Sequence, residues 1–301
     1  MRHILVAGGT GLVGRALVES LLAAGERVTI ASRQPLPARG GAATCSYAAL
    51  PADVSAVVNL AGANVVGKRW SPAYKQELVD SRVAFTQNLL AGLQRAGAKP
   101  AVWVNASAVG IYGDGGAERI DEDSPLASGF LPDLCRAWET AAATASVIGA
   151  RVVILRIGIV LARDGGALAK MEPPFRWGLG GPIGRGRHFV PWIHRRDLVR
   201  MIEWALRDPN VRGTYNASAP EPVTNLELSR GLAAALHRPC LFPAPPFALK
   251  LLFGEVGAHL AESSRAVPAR ALDQGFTFEF AKLGAALTDL YGRTVAAPAR
   301  A

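Results

Sequence analysis

The first chemistry visible in the chain is a cradle for phosphate. Gly8, Gly11 and Gly14 recur every third residue in AGGTGLVGRAL, between the apolar run HILVAG (3–8) and a stretch in which Val13, Leu17, Leu21 and Ala24 follow helical spacing. At such a strand-to-helix junction Gly8 permits the tight turn, Gly11 lets the backbone approach a diphosphate, and Gly14 lets the helix pack close to the strand. The helix N-terminus then offers free N–H groups and a positive dipole end to the phosphates. The next apolar run, RVTIAS (27–32), leads into Ser32-Arg33 with no Asp or Glu. An acid there would accept hydrogen bonds from the ribose hydroxyls of NAD. An arginine instead grips a 2′-phosphate through its planar fork, with Ser32 as a further donor. The expected cofactor is therefore NADP(H).

Arg82 breaks the pattern of its helix. It falls on the stripe of Leu78, Phe85 and Leu89, a face that should be buried. A buried guanidinium is costly without a partner, so either a cofactor phosphate or ribose edge, or a carboxylate such as Glu77, should meet it. In the loop 176–188, Arg176, Arg185, Arg187 and His188 stand among glycines, which suits an anionic substrate or a solvated loop. Trp192 and His194 are candidates for the wall of a substrate cleft between domains. The run His194-Arg195-Arg196-Asp197 has no third ligand near it and reads as a helix cap, so no metal is expected.

These residues need a scaffold. HILVAG, RVTIAS, AVVNLAG (56–62), AVWVNASA (101–108) and RVVILRIGIV (151–160) are continuous apolar runs typical of buried parallel strands. Between them lie helical stripes, one carrying Tyr74, Leu78, Phe85, Leu89 and Leu93 behind the cap Ser71-Pro72. The alternation implies an α/β fold with a doubly wound parallel sheet of Rossmann type. From about Asp164 the texture changes: KMEPPFRWGLGGPIGRGRHF is too rich in Gly and Pro for a strand or long helix. Residues 198–206 return to a helix, 213–218 to a strand, and Thr224 to Glu227 has capping-box spacing. The division expected is 1–165 as the nucleotide-binding domain, with 190–220 returning to it. Segments 166–189 and 221–295 would form a smaller C-terminal substrate lobe.

Composition narrows the rest. Half of the 301 residues are apolar, enough for a full core. Lys and Arg exceed Asp and Glu by 33 − 24 = 9, a long-range pull on anions, but the cations are spread out and no nucleic-acid partner is expected. Cys45, Cys135 and Cys240 form no CxxC pair, as suits a reducing compartment. No window approaches a membrane span, so the expectation is a cytoplasmic protein with no membrane partner.

GGTGLVG, NLAG (59–62) and NASAVGIYGD (105–114) resemble, in order, the landmarks of the extended short-chain dehydrogenase/reductase superfamily of epimerase and dehydratase type. PPFRWGLGGPIG, GRHFVPWIHRRDL and RAVPARALDQGFTF resemble an atypical subgroup that adds a C-terminal domain of unknown function. The resemblance implies NADP binding by Gly8, Thr10, Gly11, Leu12, Val13 and Gly14, by Ser32-Arg33, by Leu60-Ala61, by Glu77 and Arg82, and by Val160. It also implies a homodimer built on a helix pair. Catalysis does not carry over. The superfamily uses a Tyr, lowered in pKa by a Lys four residues on, and a Ser near the end of the fifth strand. Here Leu131, Cys135 and Ala108 fall at those positions, with Ser107 one residue off and so on the opposite face. No catalytic residue can be named. Cys135 without an activating partner reads as packing, and Tyr112 is the nearest remaining phenol. The first expectation is an NADP(H)-dependent oxidoreductase acting on a small, anionic molecule. The alternatives are an NADP-binding sensor without turnover and a nucleotide-sugar epimerase or dehydratase.

Overall fold

The structure is a computed structural model that describes residues 1–32, 40–245, 247, 251, 254–259 and 261–292. In chain order the strands are β1 His3–Ala7, β2 Arg27–Ser32, β3 Ala43–Ser46, β4 Ala56–Asn59, β5 Val102–Ala108, β6 Arg119–Ile120, β7 Arg151–Ile157, β8 Ile159–Leu161, β9 Phe189–Val190, β10 Trp192–His194, β11 Gly213–Ala217, β12 Val223–Thr224 and β13 Arg265–Ala266. Seven of them form one sheet in the order β3-β2-β1-β4-β5-β7-β11, every pair parallel. Parallel strands must be covered on both faces, and β1 is buried along its whole length. The chain leaves β1 towards β2 on one side and returns to β4 on the other. That reversal opens a crevice at the strands' carboxyl ends.

Helix α1 (Leu12–Ala23) follows β1 directly, with Gly11 as its N-cap. Ser71 caps α2 (Pro72–Val79), its Oγ accepting the Tyr74 N–H at 3.1 Å. The stripe expected as one helix is interrupted by a π turn, Asp80–Ala84, before α3 (Phe85–Arg95). The extra residue divides the stripe: Tyr74 and Leu78 pack with Leu134, whereas Leu89 and Leu93 pack under the sheet. Such a bulge re-aims the side chains it carries, and Arg82 is one of them. Helix α4 (Phe130–Ala143) packs on β5 and β7.

Two further departures have clear causes. The run 151–160 is not one strand, because Gly158 lies so close to Pro191 that a Cβ would stand 2.7 Å from its carbonyl oxygen. Ile159 donates to that oxygen at 2.7 Å, and β8 leaves the main sheet to pair with β10. Residues 170–176 are helical despite Pro173 and Pro174. They complete α5 (Gly166–Arg176), whose Leu168 and Phe175 are buried in a second core. That core also holds Trp192, Leu228 and Leu232 of α7 (Asn225–Leu236), and Leu283 and Leu287 of the helix Leu283–Tyr291. The capping box of α7 closes reciprocally, Thr224 N–H to Glu227 Oε2 at 2.7 Å and Glu227 N–H to Thr224 Oγ1 at 3.2 Å. No helix among the described residues is long and apolar enough to cross a membrane.

Asp197 in α6 (Arg195–Arg207) ties the C-terminal segment to the sheet domain. It is fully buried and accepts the N–H groups of Glu279 and Phe280, each at 2.8 Å, and Arg200 Nη1 at 3.1 Å. Asp197→Ala strands two backbone donors in the interior and should cost about 3 kcal/mol, read as a lowered midpoint in chemical denaturation. A loss within a few tenths of a kcal/mol would show that this contact does not tie the two parts together.

Candidate functional site: a dinucleotide cleft

A cleft of about 1380 Å³ opens at the carboxyl ends of β1, β2 and β4. Its floor is backbone. Gly8 has φ +79°, a conformation that suits glycine, and a Cβ there would sit 2.8 Å from the Leu60 carbonyl. A Cβ on Gly14 would overlap the Gly8 carbonyl oxygen, so α1 lies directly against the turn. Gly11 donates to Gly8 O at 3.0 Å, and a Cβ there would meet only that oxygen, so its outer side is open to the cleft. A side chain at Gly11 would fill space that a diphosphate needs, whereas one at Gly8 or Gly14 would push apart the backbone that shapes the turn. The helix N-terminus supplies donors and dipole for the diphosphate. The residues present fit a dinucleotide.

Of the residues singled out in the sequence, Gly8, Thr10, Gly11, Ser32, Leu60, Ala61 and Glu77 line this cleft. Leu12 lies against Gly165 and Gly166, while Val13 and Val160 pack on the sheet core. Arg33 lies outside the described residues. Reading by motif missed the stretch Gly62 to Asn64 and Tyr74, which also line the cleft. Gly62, the last residue of NLAG, was the available signal.

Arg82 has no carboxylate partner among the described residues. Glu77, the acid one turn before it, pairs with Lys68 at 3.0 Å instead. The Arg82 guanidinium donates to Ala63 O at 2.9 Å and Leu78 O at 3.3 Å and lies over the Trp138 ring, 5.1 Å from its centroid. Burial pulls its pKa below the ordinary value. Gly62 clears its approach: a Cβ there would stand 3.0 Å from the guanidinium carbon. A desolvated cation held by carbonyls, facing a cleft wall of glycine, is a place for an anion.

Residues 4–218 match the NAD dependent epimerase/dehydratase family. The chain belongs to that family. Residues 244–290 match a domain of unknown function, DUF1731. The chain is 41% identical over 293 residues to the epimerase family protein SDR39U1 of Bos taurus, covering 96% of this chain and 99% of that protein. It is 40% identical over 291 residues to the epimerase family protein Mb2239 of Mycobacterium bovis, covering 94% and 96%. Among solved structures it is similar to human SDR39U1 (isoform2), crystallised with NADPH, with a TM-score of 0.89 and 37% identity over 96% of this chain and 99% of that one.

In this member of the epimerase family the corner where a Ser, Tyr and Lys would act is closed. Ser107 is buried and donates to Glu139 Oε1 at 2.6 Å. Glu139 also holds Arg156 through a two-pronged pair, Nε and Nη2 each at 2.9 Å. Burial opposes the Arg156 charge, but the hydrogen bonds to Glu139 outweigh it and hold its pKa above the ordinary value. Arg156 Nη1 donates to Tyr112 Oη at 2.8 Å, and Tyr112 donates to Asn216 Oδ1 at 2.9 Å. Tyr112 therefore has its hydroxyl spent in a buried network, and burial pushes its pKa up. It is not the acid/base the sequence left open. Burial pushes the Cys135 thiol up to about 11, so it stays protonated. The sequence signal for this network was Arg156 itself, a lone cation in the middle of an apolar strand.

Two expected substrate residues are misplaced. Trp192 is sealed in the second core. His194 is also buried: its Nδ1 accepts the Arg196 N–H at 3.1 Å, capping α6, and its ring lies 4.0 Å from that of Phe280. Their strand pairs with β8 and faces the C-terminal helix rather than the cleft. Arg187 is exposed in its loop. No cluster of His, Cys, Asp or Glu suited to a metal exists among the described residues.

Burial lowers the His194 pKa to about 4, against a smaller opposing pull from Asp289, whose Oδ2 is 3.3 Å from Nε2. The unfolded chain, whose histidine titrates at its ordinary value of about 6.5, then binds this proton first. Stability falls as pH drops from about 6.5 to about 4, by about 3 kcal/mol at most. His194→Asn should flatten that segment of the stability–pH curve; an unchanged slope would contradict the assignment. Gly8→Ala should abolish dinucleotide binding, because the added methyl displaces the Leu60 backbone; retained affinity would overturn the cradle.

Proposed function

We propose that the chain is an NADP(H)-dependent oxidoreductase of the atypical short-chain dehydrogenase/reductase type. One observation carries the cofactor part of this reading: the Arg82 guanidinium, unpaired with any described carboxylate, stands behind Gly62 beside a glycine-floored cleft. The SDR39U1 crystal structure with NADPH supports it. So does the absence of an acid after β2, where Arg33 follows Ser32. When bound, the cofactor supplies hydride. The chain's own residues supply the rest: α1 donates N–H groups to the diphosphate, Arg82 binds anionic or ribose oxygens, and Leu60 and Ala61 shield one wall from water. In this reading the substrate is a small anion, and Arg187, exposed in its loop, is a cation within the segment expected as the substrate lobe.

A second reading, an NADP-binding sensor without turnover, is favoured by a different observation. Tyr112 is committed to Arg156 and Asn216, and the Cys135 thiol is held protonated, so no described side chain in that corner is free to exchange a proton near neutral pH. Under the oxidoreductase reading the proton comes from water or substrate. Oxidation of NADPH across a panel of small carbonyl compounds favours the enzyme; binding with no oxidation of any of them favours the sensor.

Arg82→Ala should weaken NADPH binding by about tenfold to a hundredfold, the loss of one charge-assisted contact. Arg33→Asp should weaken NADPH and strengthen NADH. Both are read by calorimetric titration. Equal affinities of the unaltered protein for NADPH and NADH, unmoved by Arg33→Asp, would overturn the NADP preference.

A further inference from the structure

The fold brings two distant loops together into one apolar, basic surface. The chain after α5 runs beside the chain after α7: Arg238 Nε donates to Arg176 O at 2.9 Å, Ala244 N–H to Pro182 O and Gly184 N–H to Ala244 O, each at 2.8 Å. The pairing runs the segment of Trp177 and Leu179 along that of Leu241 and Phe242: a Cβ on Gly178 would touch Pro239 and one on Gly181 would overlap the Phe242 carbonyl. All four project into solvent, Trp177 81% exposed, Leu241 67%, Leu179 62% and Phe242 55%. Scattered single apolar residues on a surface need no explanation, but four large ones on two paired segments do. Phe247 and Leu251 continue the exposed apolar series.

The charges in the same segments have one sign. Residues 173–188 and 237–245 contain no Asp or Glu, and they carry Arg176, Arg185, Arg187 and Arg238. Arg176 is paired with Glu172 of its own helix, whereas Arg185 and Arg187 have no carboxylate partner among the described residues. We propose that this face docks the protein on an anionic lipid surface. Such an interface rewards both features at once: large side chains enter the acyl boundary while guanidinium groups meet lipid phosphates. A second copy of this chain would set like charges against each other across the patch, at a cost. A nucleic acid would use the cations and the rings but gain little from Leu179 and Leu241. The docking is peripheral, and neither loop marks it in the sequence because the apolar and basic residues meet only when the two loops pair.

The test is cosedimentation of the full chain with vesicles of phosphatidylcholine containing phosphatidylglycerol, against vesicles of phosphatidylcholine alone. Binding is expected to the anionic vesicles, weakened by salt, with Trp177 fluorescence quenched by brominated lipid. Trp177→Ser/Phe242→Ser should bind at least about tenfold more weakly, since either ring is worth that much on burial. Arg185→Glu should weaken binding by a smaller factor. NADPH affinity and the far-ultraviolet circular dichroism of each variant should match the unaltered protein, which separates lost docking from lost folding and from failure of the cofactor reading. No binding to anionic vesicles would overturn the proposal. So would binding that the double substitution leaves intact, a dimer in solution that the double substitution dissolves, or competition by single-stranded RNA that spares no lipid binding.

Discussion

The site depends on one contact made without side chains. The turn after β1, the start of α1 and the strand end after β4 meet backbone to backbone, Gly8 against Leu60 and Gly14 against Gly8. Glycine is required at both points for different reasons, a left-handed φ at Gly8 and absence of bulk at Gly14. The contact fixes the angle of α1, and so the direction in which its free N–H groups point. It also sets Leu60 and Ala61 as a wall at the reversal in strand order, where open α/β sheets bind ligands. The seven-stranded sheet holds this geometry rigid because every strand of its centre is covered on both faces.

The other end of the cleft shows a trade. Where related enzymes carry a reactive Tyr and Lys, α4 carries Leu131 and Cys135, and the interior next to it is occupied by a closed polar network. Ser107, Glu139, Arg156, Tyr112 and Asn216 satisfy one another. Such a network rigidifies the corner when every member is paired, and it leaves no member free for proton transfer. Arg82, half-buried, comes from the π turn between α2 and α3 rather than from α4.

Much of this was legible in the sequence, and what was not has physical causes. The glycine spacing, the five apolar runs, the Ser71 cap and the Thr224–Glu227 box depend on short-range chemistry, so they could be read locally. Arg82 was legible as a misfit on an apolar stripe, though the π turn that aims it was not, since inserting one residue leaves no mark in spacing. β3 was missed because Ala43 to Ser46 is no apolar run at the sheet's edge. Trp192 and His194 looked like cleft residues because aromatic and imidazole side chains often are. Their burial follows from the break at Gly158, which moves β8 and its partner β10 into the second core. Long-range packing decided that, and no local pattern records it.

Under the proposed function the cleft takes a dinucleotide carrying a 2′-phosphate. That preference is tested most directly by fragments that lack the nicotinamide, so that neither turnover nor proton source enters. Calorimetric titration of the protein with 2′-phospho-ADP-ribose and with ADP-ribose should give tighter binding of the phosphorylated fragment by about tenfold or more. Equal affinities for the two fragments, or binding of neither, would contradict the account.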